Sequence, residues 1–108
     1  MNNQVVKVKG IPMELGGTDY IVPPLSLGAL EQLLPRITSF KANPSDVADI
    51  KVVVDAAHAA LKRNYPDIER SVIADAIGLE NMMDVMDTIM DISGLKRKAK
   101  EAEQMGEA

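Results

Sequence analysis

Few side chains in this sequence belong to types that do chemistry, and their spacing limits what each can do. His58 is the only histidine and cysteine is absent. Thiolate ligands, disulfides and cysteine nucleophiles therefore drop out together, and a lone imidazole makes a poor transition-metal site. At helical spacing His58 shares a face with Lys51, Asp55 and Lys62, which assigns it to solvent. No serine stands in a Gly-x-Ser-x-Gly elbow, and Gly16-Gly17 lacks the Lys-Ser/Thr that completes a phosphate loop. The one recurring carboxylate set is Glu80, Asp84, Asp87 and Asp91, three or four residues apart and so on one helical face. Such a stripe could hold a divalent cation or move a proton. The alternating order of a calcium loop is missing, however, and charge stripes at this spacing usually face water. The chain reads as non-enzymatic, with no catalytic, cofactor or metal residue to assign.

Binding is the remaining chemistry. Met82, Met83, Met86, Ile89 and Met90 share the opposite face of that helix, and four of the seven methionines fall within these nine positions. Methionine is flexible and polarisable and suits surfaces that accept varied apolar partners, although an apolar helical stripe more often faces its own core. These five residues are the candidate partner-binding set.

The elements that must position them follow from periodicity. Residues 4–22 alternate as strands, turning at Gly16-Gly17-Thr18-Asp19 and stopping at Pro23-Pro24. From Ser26 the period becomes helical. A helix over 26–40 is capped by Ser26, turns Leu27, Leu30, Leu33, Leu34 and Ile37 inward, and is kinked or divided by Pro35. A second, over 45–63, is capped by Ser45 and carries the stripe Val47, Ile50, Val54, Ala57, Leu61, widened by Val53 and Ala60. A third runs over 66–77 from Pro66 at its first position, and a fourth over 79–93 to Gly94. Residues 95–108 form a charged tail, either a helical extension or disordered. The fold class is α+β, mainly α: one domain over 1–94, with an N-terminal hairpin and about four short helices. The hairpin must pack on the helices or on another copy, and an exposed edge would allow a homo-oligomer.

Composition narrows the partners. Twelve basic against sixteen acidic side chains give a net charge of −4 in 108 residues, and only Arg70 is basic among the seven acidic side chains of 67–91. That disfavours nucleic acid, including a helix-turn-helix regulator. The Lys96, Arg97, Lys98, Lys100 cluster is interleaved with glutamates and makes a weak patch. The Met-Asn-Asn-Gln opening lacks signal-peptide order, and no apolar stretch approaches the ~20 residues that span a bilayer. The expectation is a cytoplasmic protein that does not engage membranes.

Several segments resemble one family. Leu15-Gly-Gly-Thr-Asp-Tyr-Ile-Val-Pro-Pro-Leu-Ser-Leu-Gly-Ala-Leu-Glu-Gln-Leu is similar to the opening of tail assembly chaperones from long-tailed bacteriophages. Ala60-Leu-Lys-Arg-Asn-Tyr-Pro-Asp-Ile resembles that family's helix break. Ile77-Gly-Leu-Glu-Asn, Val85-Met-Asp and Ile92-Ser-Gly-Leu resemble its closing helix and stop, so the likeness covers roughly 11–98. It implies a non-catalytic chaperone that binds the apolar, helical tape measure protein and assists tail tube polymerisation. Such a protein works in the cytoplasm of the infected host, is absent from the finished virion, and in many families also has a longer frameshifted form. The tail tube protein is a second partner so implied. The alternative is a structural tail completion or connector component. The resemblance carries over no binding residue.

Overall fold

The computed structural model describes residues 8–95. Two antiparallel strands are followed by four helices, confirming the α+β, mainly α class among these residues. The start of the expected hairpin (4–7) and the tail from 96 lie outside them.

Strand β1 (Ile11–Leu15) pairs with β2 (Thr18–Val22), with Met13 opposite Tyr20 and Leu15 opposite Thr18. Gly16 and Gly17 have φ of 58° and 82°, the two positive angles of a two-residue turn whose twist matches that of the strands. Strand structure begins later than position 4 would give: Val8 to Gly10 are not strand. Gly10 lies against the Val22 carbonyl so closely that any Cβ would collide with it. The alternating valines and lysines supply a period of two, but this approach diverts the chain before pairing starts.

Helix α1 (Leu27–Thr38) begins as expected, with the Ala29 N–H donating to Ser26 Oγ at 3.1 Å. Pro35 does not divide it. The helix ends three residues past it at Thr38, and the Pro35 carbonyl accepts from Thr38 Oγ1 (2.9 Å) and Ser39 Oγ (3.1 Å) as well as the Ser39 N–H. Leu33 and Ile37 are buried, but Leu27 and Leu34 are exposed, so the inward face is narrower than the run of leucines.

Helix α2 (Val47–Lys62) is the centre of the molecule and packs against β2 and every other helix. Its cap is Asp46 rather than Ser45: the Asp46 carboxylate accepts the Ala48 N–H at 2.9 Å. A helix with neighbours on several sides buries more than a stripe. Val52, Val53, Val54, Ala56, Ala57, Ala60 and Leu61 are all buried, while Val47 and Ile50 at the expected stripe's start are exposed. Small alanines let neighbouring backbones approach closely. Asp49 is the one buried charged side chain among the described residues, and it closes the α1–α2 loop by accepting the N–H groups of Asn43 (2.8 Å) and Lys41 (3.1 Å).

Helix α3 (Arg70–Ala76) starts four residues later than Pro66 implied, because Tyr65–Ile68 forms a separate turn through the Ile68 N–H to Tyr65 carbonyl bond. Helix α4 (Met82–Ile92) starts at Met82, after Asn81 at the cap position, rather than at Leu79. There the Asn81 side chain accepts the Gly78 N–H at 2.7 Å and turns the link.

Residues beyond the end of α2 hold the hairpin. Asn64 Oδ1 accepts the Val8 N–H (2.8 Å), while its Nδ2 donates to the carbonyls of Val8 (2.9 Å) and Ile21 (3.3 Å). Tyr65 Oη accepts the Ile21 N–H (2.8 Å) and its ring meets Tyr20 edge-on at 5.3 Å. The outward groups of Ile21 are thus already used, and its cross-strand neighbour Pro12 has no N–H to offer an incoming strand. The hairpin edge is blunted at Ile21 and Pro12.

Candidate functional site

The chemistry-bearing residues of the sequence do not converge. His58 is half-buried rather than in solvent, its Nε2 donating to the Ile68 carbonyl at 3.1 Å. The turn at 65–68 folds back over a helix face that periodicity alone leaves open. Glu80, Asp84, Asp87 and Asp91 are all exposed, and among the described residues no group of three or more His, Cys, Asp or Glu could hold a metal ion. Ser93 and Lys96 stand in Ser-x-x-Lys order, a nucleophile–base spacing. Ser93 Oγ accepts the Leu25 N–H at 2.9 Å, and Lys96 lies outside the described residues.

The methionine face proves to be mostly interior. Met82, Met86 and Ile89 are buried in the core, Met90 packs partly against it, and only Met83 is exposed. The apolar stripe of α4 seats on α2, as an apolar helical stripe usually faces the core. As a set, the five residues do not form a surface of the folded chain.

What the structure opens instead is an apolar groove of about 360 Å³ between α2, α3 and the α3–α4 link. Helix α3 stops at Ala76, and Ile77, Gly78 and Leu79 of the link border the groove before α4 begins. Val53 and Val54 from α2 and Met82 from α4 lie buried at its base. Ala74 and Ile77 line it from α3 and the link, while Ile50 (37% exposed) and Leu79 (69% exposed) stand at its walls. Leaving large apolar side chains in water costs about 25 cal/mol per Å² of surface, and Ile50 and Leu79 both adjoin this concavity.

Two cations, Lys51 and Arg70, also line the groove. Arg70 is tied by its Nε to Asp55 Oδ1 at 2.6 Å, and Arg36 of α1 reaches Asp55 Oδ2 at 2.8 Å. Asp55 thus braces α1 and α3 on either side of α2. Partial burial alone would raise its carboxyl, but hydrogen bonding to Arg70 and then Arg36 outweighs this and holds it below the ordinary value. Lys51 makes no ion pair among the described residues.

Of the five candidate residues, only Met82 reaches the groove. Ile50, Leu79, Lys51 and Arg70 were not singled out as binding residues. Ile50 had been assigned to the core stripe, and nothing in its spacing tells that α3 is too short to cover it. No described helix is long and apolar enough to cross a membrane. Comparisons with protein-family models, with curated proteins and with solved structures find no match.

Proposed function

We propose that this chain is a non-catalytic tail assembly chaperone of a long-tailed bacteriophage. It binds the tape measure protein and thereby assists tail tube polymerisation in the cytoplasm of the infected host. The observation that carries the reading is the open apolar groove with Ile50 and Leu79 at its walls. A groove between helices accepts the apolar face of another helix through anchors at i, i+3 and i+4, and a long apolar helical client is a liability while bare. The segments at 15–33, 60–68 and 77–95 that resemble the tail chaperones give the client its identity. Many copies on one client would each contribute a weak contact, and the acidic surface would keep the coated client in solution.

Co-expression with the tape measure protein of the same phage tests this. The expected outcome is a soluble client that co-purifies with many copies of this chain, and loss of both effects in Leu79→Asp. An insoluble, unbound client, with this chain retained in purified tails, would instead establish a structural tail component.

A further inference from the structure

The placement of charge around the groove bears on which helices it prefers. The surface of the C-terminal half is acidic: Asp67, Glu69, Asp75, Glu80, Asp84, Asp87 and Asp91 are all exposed. The groove is the exception. Its two charged lining residues are both cations, Lys51 one turn before Asp55 on α2 and Arg70 at the start of α3. Of the nearby carboxylates, Asp55 is held between two guanidinium groups, while that of Glu80 lies beside Gly78 in the link. Arg70 shares its charge with Asp55, which leaves Lys51 as the cation with no ion-pair partner among the described residues.

Resting on the groove reading, the geometry points to a specific occupant: an amphipathic helix that carries a carboxylate beside its apolar stripe, set against Lys51 and, secondarily, Arg70. Its apolar side chains fill the space over Val54, Ile77 and Met82, and its acidic residue meets the rim. An apolar helix flanked by lysines would meet the same cations and be disfavoured, because like charges brought together across an interface cost affinity. Lys51 is thus a specificity-determining residue of the groove. Its four-carbon stem lets the ammonium follow a carboxylate at slightly different positions along a client, which suits repeated use on a long partner.

The test uses the full chain and two synthetic amphipathic helices with one leucine stripe, differing only in a single flanking Glu or Lys. Each carries a tryptophan as reporter, since this chain has none. At low ionic strength the Glu peptide should bind about three- to fivefold more tightly than the Lys peptide, the range of a partly exposed ion pair, and the gap should narrow in high salt. Lys51→Gln should remove the preference and Lys51→Glu reverse it. Lys62→Glu, an exposed change outside the groove, should leave it intact. If both peptides bind equally, or Lys51→Glu keeps the original order, the charge assignment is wrong while the groove stands. If neither peptide binds and Leu79→Asp changes nothing, the groove reading falls and this inference with it. Circular dichroism on each variant separates either result from loss of the fold.

Discussion

The two ends of α2 treat exposed surface in opposite ways. Beyond its C-terminus, Asn64 and Tyr65 meet the hairpin with four directional hydrogen bonds, and the backbone of Ile21 finds partners for both its N–H and its carbonyl. Near its N-terminus, Ile50 and Lys51 border a groove whose apolar walls meet no counterpart, and Lys51 has no charge partner there. Both regions join α2 to a neighbour, yet one is closed by polar complementarity and the other is left open. Directional bonds fix a single geometry. Apolar contact tolerates many, which is what a surface for a degenerate client requires. Under the proposed function the first region serves stability and the second recognition, so variants in the two should separate cleanly.

The largest expected effect falls on neither region but on the core that joins them. Met86 is 1% exposed, and Met86→Asp places a carboxylate where burial without a partner costs several kcal/mol. For a domain of this size that approaches the whole stability, so loss of the cooperative thermal transition is predicted. A folded Met86→Asp protein would return the methionine face to the surface.

Asn64→Ala comes next. It leaves the Val8 and Ile21 backbone groups without their side-chain partner in a partly buried place, at a cost of about 2–3 kcal/mol. Urea unfolding should register it, with client binding unchanged in the folded fraction. An unaltered midpoint would mean that the hairpin is held by packing alone. Leu79→Asp should do the reverse. It lies on an exposed wall, so its stability change is expected within about 0.5 kcal/mol, while client recovery is lost.

The smallest effect concerns Asp55. Its folded-state carboxyl lies below the unfolded value, so its contribution is present above the unfolded pKa and lost as pH falls through the folded one. Stability measured below about pH 4 should therefore decline less steeply in Asp55→Asn than in the parent chain. Equal slopes would show that the Arg36–Asp55–Arg70 bridge is too exposed to count.

Much of this contrast is invisible along the chain. The hairpin turn, the Ser26 cap and the number and order of helices follow from local chemistry, and the resemblance to the tail chaperones draws on the same turn and break residues. Helix starts differ where local bonds outweigh periodicity: Asp46 rather than Ser45 caps α2, and the backbone turn at Tyr65–Ile68 occupies what periodicity gives to the first turn of a third helix. Asn64-Tyr65 reads as a helix break, and its role as a clamp exists only once the hairpin lies beside it. The groove was harder still. Ile50 and Leu79 have the types and spacing of core residues, and their exposure depends on how short α3 is and where Asn81 turns the link. Binding was assigned to the residue type that looked most unusual, methionine. Burial went to those same side chains because they offered the most apolar surface to α2.

The most direct measurement is recovery of soluble tape measure protein on co-expression with the parent chain, Leu79→Asp and Asn64→Ala side by side. The account predicts a soluble, bound client with the parent chain. It predicts an insoluble client with a fully folded Leu79→Asp, and a client still bound by whatever fraction of Asn64→Ala is folded. A client held equally well by Leu79→Asp, or by none of the three, would contradict the groove as the recognition surface.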